Sequence, residues 1–458
     1  MKISELLNSI RLVLKQIFGA KSPGTAPPDV AISSAMTHAI ELWDAEYKGR
    51  PDRIKQKHIR SMNIGAAVAS EIARLVTIEF KSEITGSKRA EALNVDYQNF
   101  LDKIRIYTEF ACAKGGIIFK PYVSGDKICV NAVQADAFYP TAYDNAGNIT
   151  GAVFLERYTQ GGTYYTRLEY HSLSGKSYSI INEAYASKDN TTLGSKVSLD
   201  SVSAWSDIAP EAELSNVSAP LFSYFRIPNA NYIDSESPLG ISVFAKAIPL
   251  IRDADEIYSS LVWEFKSGQR KIFVDEMALR KDENSCLKMP ELEDGVVVTL
   301  DSTDPKFYQA FSPELRDEPI RRGLNEVLRR IETLCGVAYG TLSDVQDTAK
   351  TATEIKASKQ RTYSTVTDIQ KALKSSLHQL AEAMNYYAEL YNLSPSGSYE
   401  ISFDFDDSII VDTEAEQKIW FAEVGAGLIR PTMYLMKRYG VTEEQATEML
   451  PEAFGGDE

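Results

Sequence analysis

The spacing of apolar side chains changes several times along this chain, and each change marks a boundary. From about 30 to 112 apolar residues recur at helical spacing, as in Ile64, Ala67, Val68, Ile72 and Leu75. From about 117 to 225 the period drops to two. Gly161-Gly162 lies between Val153–Tyr158 and Tyr164–Leu168, and Ser174-Gly175 lies between Leu168–His171 and Tyr178–Ile181. β-Branched and aromatic runs joined by short glycine turns predict hairpins. The tyrosines Tyr158, Tyr164, Tyr165, Tyr170, Tyr178 and Tyr185 suit cross-strand packing better than a stacking platform for bases.

A turn-rich connector, 228–238, leads into a helix over 240–266. Phe244, Ile248, Ile251, Tyr258, Leu261 and Phe265 mark its apolar face, with Asp253, Asp255 and Glu256 largely off it. Pro249 either bends this helix or sets its start. Residues 270–312 turn β-like, with strands at Lys271–Val274 and Gly295–Leu300 around an acidic stretch of Asp282, Glu283, Glu291, Glu293 and Asp294. A second helix follows to about 334, with Ile320, Leu324, Val327, Leu328 and Ile331 in one stripe. The simplest geometry is two helices side by side, with the β insertion projecting beyond their ends.

Residues 340–350 are small and polar and suit a loop. The longest periodic segment runs from about 353 to 391, through Thr362, Val366, Ile369, Leu373, Leu377, Leu380, Met384, Tyr387 and Tyr391, without an internal Gly or Pro. A stripe this long predicts packing between copies of the chain. The tail begins with a strand at 399–406. Short helices follow, opened by the capping boxes Thr413/Glu416 and Thr442/Gln445 and by Pro431 at a first helical position.

Composition narrows the function. With 458 residues, 44% hydrophobic and 25% charged, the chain reads as folded and of several domains. Its longest apolar runs fall short of the ~20 residues of a membrane span, so no membrane is expected. The N-terminal stretch Ile3–Lys15 is apolar at helical spacing but interrupted by Glu5, Arg11 and Lys15, which makes it a poor signal peptide. The net charge of −15 opposes nucleic-acid binding by blanket phosphate neutralisation. It does not oppose a surface past which DNA slides. From Ile401 onward 13 acidic side chains face 4 basic ones, so the tail carries much of the excess.

Chemistry is sparse. The phosphate-loop, dinucleotide-turn, HExxH and nucleophile-elbow patterns are all absent. Four scattered cysteines predict neither a zinc site nor a disulfide framework, and His38, His58, His171 and His378 lie too far apart for a local metal motif. Arg321, Arg322, Arg329 and Arg330 alternate with acids, so ion pairs are expected before phosphate binding. One cluster, Asp404, Asp406 and Asp407, has the residue types that hold Mg²⁺ in DNA-processing enzymes. A metal-dependent enzyme is therefore the alternative function, although solvated acids before a helix N-terminus account for the cluster more simply. A third reading is a receptor-binding protein built on 117–225.

The order of several segments resembles a known family. Ser237-Pro238-Leu239-Gly240-Ile241-Ser242-Val243-Phe244 enters a helix bearing Asp253-Ala254-Asp255 and Trp263-Glu264-Phe265, followed by Lys271-Ile272-Phe273-Val274. Thr351-Ala352-Thr353-Glu354-Ile355 opens the long helix, and Gly427-Leu428-Ile429-Arg430-Pro431-Thr432 precedes Tyr439-Gly440-Val441-Thr442-Glu443-Glu444-Gln445-Ala446. This set, from about 40 to 450, resembles the portal proteins of tailed bacteriophages, in the long-tailed branch.

The resemblance implies an α+β fold. A mixed α/β wing would occupy 30–238, after an N-terminal segment and linker at 1–29. Stem helices would lie at 239–268 and 313–336 around a β clip at 269–312. A tunnel loop would follow at 337–352, a long helix at 353–398, and a short helical crown at 399–458. It implies a ring, usually of twelve copies, at one capsid vertex of a virion assembled in the host cytoplasm. Double-stranded DNA would pass through the ring non-specifically during packaging and ejection. Partners would be further copies of the chain, the terminase large subunit, head-completion adaptors, and the major capsid and scaffold proteins. No catalysis, metal or cofactor is implied. Thr341, Ser343, Gln346, Thr348, Lys350 and Thr351 become tunnel-loop candidates. Asp282, Glu283, Glu291, Glu293 and Asp294 become clip docking candidates. Phe244, Ile251, Tyr258, Leu324, Leu328 and Ile331 become stem-packing residues.

Overall fold

A computed structural model describes residues 9–10, 13, 30–55, 58–190, 192–269, 271–275, 296–300, 308–344, 352–405, 420–439 and 442–450, with the backbone alone at 271–275, 296–300, 308–311, 352–359 and 437. The fold is α+β, as expected. Its first part holds α1 (Ser34–Tyr47), α2 (Ile64–Val76), β1 (Lys81–Gly86), α3 (Lys88–Leu101) and α4 (Ile104–Lys114). Ser33 caps α1 by accepting the Met36 N–H. Gly115 closes α4 at φ +87°, a conformation that costs glycine little.

The core centres on a three-stranded antiparallel sheet, with β2 (Gly116–Ser124) between β3 (Lys127–Gln134) and β10 (Ser223–Arg226). Ile117, Ile118 and Phe119 are consecutive and fully buried. Successive side chains of a strand point to opposite faces, so both faces of β2 are covered. Helix α4 and a long C-terminal helix pack on it. Beyond it runs an antiparallel meander of β4 (Phe138–Tyr143), β5 (Ile149–Gln160), β6 (Thr163–Ser174) and β7 (Ser177–Ser187), whose far edge pairs with β8 (Ser195–Val197) and β9 (Glu211–Ser215). Gly161 and Gly162, at φ +58° and +71°, make the two-residue turn between β5 and β6. Tyr158 stands directly opposite Tyr165, while Tyr170, Tyr178 and Tyr185 are buried, so these tyrosines serve packing.

Next come α5 (Ile248–Ser267) and α6 (Asp317–Cys335), which pack against each other. Between them lies a small sheet, with β11 (Lys271–Asp275) parallel to β12 (Val296–Leu300) and antiparallel to β13 (Tyr308–Phe311). Pro249 sits in the first turn of α5 and marks its start, after a short 3-10 turn at Ala245–Ala247. The long helix α7 (Ala352–Leu390) has 39 residues, close to 60 Å if straight at about 1.5 Å per residue. Then come β14 (Tyr399–Asp404), a helical stretch at 420–425, α8 (Pro431–Tyr439) and α9 (Glu443–Glu448), the last with the predicted Thr442/Gln445 capping box.

Four expectations need correction. The apolar stripe of α7 is not left for another copy: Val366, Ile369, Leu373, Leu377, Leu380 and Met384 are each at most 2% exposed within this chain. They lie on β10, β2, α2 and α3, surfaces distant in sequence. Asp255 is not on a solvent face but fully buried, because Arg53 reaches it. The 30–112 region is not wholly helical, since β1 interrupts it. Finally, β14 pairs antiparallel with β1, from Lys81 opposite Asp404 to Gly86 opposite Tyr399, so the strand at 399–404 belongs to the body and not to a separate tail unit.

Candidate functional site

The helix pair and the segment after it carry the arrangement most relevant to function. Leu261 of α5 and Leu324, Leu328 and Ile331 of α6 are buried. At the far end of the pair, the carboxylate of Glu264 accepts the Arg316 backbone N–H (3.0 Å) and two guanidinium N–H groups (3.2 and 2.9 Å). These bonds hold the Glu264 carboxyl below its usual range. Gly268 lies beside them, where a Cβ would sit 2.3 Å from the Leu315 Cδ2 and 2.9 Å from the Glu264 carbonyl oxygen. At the near end Phe244 packs over Gly65, where a Cβ would meet its ring at 3.2 Å. Of the predicted packing residues, Phe244, Ile251, Leu324, Leu328 and Ile331 are buried and Tyr258 half-buried.

The pair is locked to the body by a charge cluster that sequence reasoning missed. Arg53 donates to Asp255 Oδ2 (Nη2 at 2.6 Å, Nε at 3.2 Å) and to both carboxylate oxygens of Glu46, with Oε2 at 2.8 Å. Asp255 Oδ1 also accepts the Met62 N–H at 2.8 Å. One guanidinium thus ties α1 to α5, and Asp255 links the irregular 60–62 segment to the same cluster. Where the chain enters the pair, Gly240 passes so close to Gly115 that a Cβ on Gly240 would lie 2.1 Å from the Gly115 carbonyl oxygen. Tyr224 accepts the Gly240 N–H at 3.0 Å.

At its other end α6 passes into the predicted loop. Gly336, at φ +73°, ends the helix, and the Val337 N–H returns to the Glu332 carbonyl (3.0 Å) in a Schellman closure. The Glu332 side chain then gathers the loop. Its Oε1 accepts the N–H groups of Gly340 (3.1 Å), Leu342 (2.6 Å) and Ser343 (2.8 Å), and its Oε2 accepts the Ser343 hydroxyl (2.9 Å). A carboxylate is disfavoured at a helix C-terminus; here four donors compensate it. Asn325 completes the grip, accepting the Asp344 N–H at 2.8 Å and donating to its carbonyl at 3.3 Å. Burial beside Glu332 pushes the Cys335 thiol up to about 12, so it is inert as a nucleophile.

Of the loop candidates, Thr341 donates its hydroxyl to the Ala338 carbonyl at 2.6 Å. Ser343 is 5% exposed and faces Glu332, so its hydroxyl is engaged within the chain. Gln346, Thr348, Lys350 and Thr351 lie outside the described residues, as do Asp282, Glu283, Glu291, Glu293 and Asp294. The one signal that could have pointed to Glu332 is an acid inside the apolar stripe of α6, one residue after Ile331.

The alternative metal site does not gather in the part that is described. Asp404 is exposed at the end of β14, and Asp406 and Asp407 lie outside the described residues. Among the described residues no group of three or more His, Cys, Asp or Glu side chains could hold a metal ion. Arg321, Arg329 and Arg330 pair with Asp317 and Glu326 along their own helix, as the alternation of charges predicts. His171 is buried, its Nε2 on Glu169 (2.8 Å) and its Nδ1 on Tyr178 (2.7 Å). Among the described residues no helix is long and apolar enough to cross a membrane.

Comparison with known proteins bears directly on this layout. The family described as "Phage portal protein, SPP1 Gp6-like" matches residues 68–453. The chain belongs to the phage portal protein family. As a portal protein it is a structural component of phage particles, and the resemblance read from Gly240, the long helix and the tail segments is correct at the level of family. Among solved structures it is similar to a chain in the "Neck of native GTA particle computed with C12 symmetry", at 11% identity, with a TM-score of 0.41, over 93% of this chain and 98% of that one. No curated protein matches it.

Proposed function

We propose that copies of this portal protein close into a ring, twelve in number, at a single capsid vertex, and that duplex DNA enters and leaves the head through its bore. The body, 30–238 together with α7 and β14, is the wing. Helices α5 and α6 are the stem, the β11–β13 sheet belongs to the clip, and the helices from 420 onward form a short crown. The stretch 337–352 is the tunnel loop, facing the bore. Terminase and, later, head-completion adaptors dock on the clip, with Asp282, Glu283, Glu291, Glu293 and Asp294 as candidate contacts. Capsid and scaffold proteins surround the wing. The particle assembles in the host cytoplasm and the protein remains in the virion.

The observation that carries this reading is the double anchoring of the segment between α6 and α7. Glu332 and Asn325 hold its first residues, through Asp344, so residues beyond that point leave from a fixed base. Ser343 acts in that base, and Thr341, Gln346, Thr348, Lys350 and Thr351 remain the candidates for contact with DNA. A bore must not retain its cargo, since each phosphate contact adds affinity that opposes sliding. The acidic balance of the chain meets that need. The test is packaging: substituting Lys350 with Ala and, separately, deleting 345–350 should leave assembly intact but alter the amount of DNA retained per head. Unchanged packaging in both would remove the loop from the mechanism.

A further inference from the structure

The stem pair presents two unlike faces on opposite sides. On α5, Arg252, Glu256, Trp263 and Lys266 fall in one exposed stripe, with the Trp263 indole 60% exposed. It points away from Leu261 and Glu264, which face α6. On α6, Pro319, Arg322, Gly323, Glu326 and Arg330 fall in an exposed stripe opposite Leu324, Leu328 and Ile331. Gly323 stands mid-helix, where glycine is a poor helix former, and among the described residues no atom beyond its own chain neighbours and helix backbone lies within 4 Å of the place its Cβ would occupy. Among the described residues nothing explains that glycine or the bare indole. Neither Trp263 nor Arg322 makes a hydrogen bond, ion pair or ring contact among the described residues. The segment at His58–Arg60 flanks Ser259 and Trp263 and turns the α5 face into a groove.

We propose that this groove receives α6 of the next copy, with the Trp263 indole seated on the Pro319–Gly323 surface beneath the Arg322 guanidinium. The proposal rests on the ring reading and names its stem contact. Register supports it. Within one chain Glu264 is level with Arg316, and Gly268 with Leu315. Rotation about an axis along the pair keeps heights unchanged, so the same levels hold between neighbours. Helical side chains lean toward the helix N-terminus. The indole therefore leans along antiparallel α6 to the level between Pro319 and Gly323. Arg322 leans the opposite way, toward the ring, in the sense that a cation–π contact requires. Because the two stripes lie on opposite sides of one pair, they cannot cover each other within a chain, and a head-to-tail contact repeated to closure covers both.

Glu256 and Glu326 lie at nearly the same height on the two stripes, outside the seat itself. The test is the double variant Glu256→Cys/Glu326→Cys, treated with a short bismaleimide after ring formation has been scored by negative stain. The expected result is a ladder of covalent oligomers up to the full ring, absent from both single variants and from the unsubstituted chain. Rings without a ladder would overturn this contact and leave the ring reading standing. An unsubstituted chain that never forms rings, even with its capsid proteins, would overturn both. In parallel, Trp263→Ala and Gly323→Leu should each lower the ring fraction at least tenfold with an unchanged circular dichroism melt of the monomer. Undiminished rings in both variants would count decisively against the seat.

Discussion

Replacing Arg53 with Met tests how the stem is held to the body. The guanidinium is 11% exposed, and its partners Glu46 and Asp255 are 2% and 0% exposed. Methionine fills much of the same volume but leaves two carboxylates without a cation. Breaking a buried ion pair in this way costs roughly 3–5 kcal/mol. Asp255 keeps the Met62 N–H at 2.8 Å, which moderates the loss. The expectation is therefore about 3–4 kcal/mol of stability at pH 7. The assay is urea unfolding by circular dichroism, with the oligomeric state held constant since assembly would itself stabilise the fold. A deficit below about 1 kcal/mol, well under the range for a broken buried pair, would refute the reasoning.

Three further outcomes rest on contacts elsewhere in the fold. Burial alone would raise the Glu169 carboxyl, but Lys120, His171 and Arg167 hold it well below its usual range, and burial lowers the His171 imidazole below 6.5. Both folded forms resist protonation, so stability should fall as pH drops below 6.5 and again below 4.5; urea midpoints at pH 8, 6 and 4 check this, and His171→Gln should flatten the first step. Gly240→Ala drives a methyl into the Gly115 carbonyl oxygen at 2.1 Å and should yield insoluble or strongly destabilised protein, whereas Gly125→Asn, at a φ of +60° with open space, should fold normally; equal solubility of the two would contradict the close approach. Glu332→Ala orphans three loop N–H groups at roughly 1–3 kcal/mol each if buried, and hydrogen exchange at Gly340, Leu342 and Ser343 should accelerate at least tenfold while α5 amides stay protected.

Much of this layout was legible in the sequence because it rests on local physics. The Gly161-Gly162 turn, Pro249 at a helix start and the Thr442/Gln445 box are each decided within a few residues. The helix pair with its small sheet could be placed from periodicity alone. What escaped was non-local. Arg53 finds Asp255 across 202 positions, and β1 finds β14 across more than 300. The stripe of α7 signalled burial correctly, but its partners were the chain's own β10 and β2, which no single-chain period can announce. Glu332 reads as an ordinary helical acid until the turn at Gly336 brings the loop back over it.

The central claim is a closed ring with a bore that duplex DNA crosses. Electron microscopy of the purified protein, alone and with its capsid and scaffold proteins, tests it most directly. The account predicts closed rings whose central hole is about 20 Å or wider, enough for a duplex with a major groove of about 12 Å, and one such ring per head. A protein that stays monomeric in every mixture, or that forms only open or solid assemblies, would contradict it.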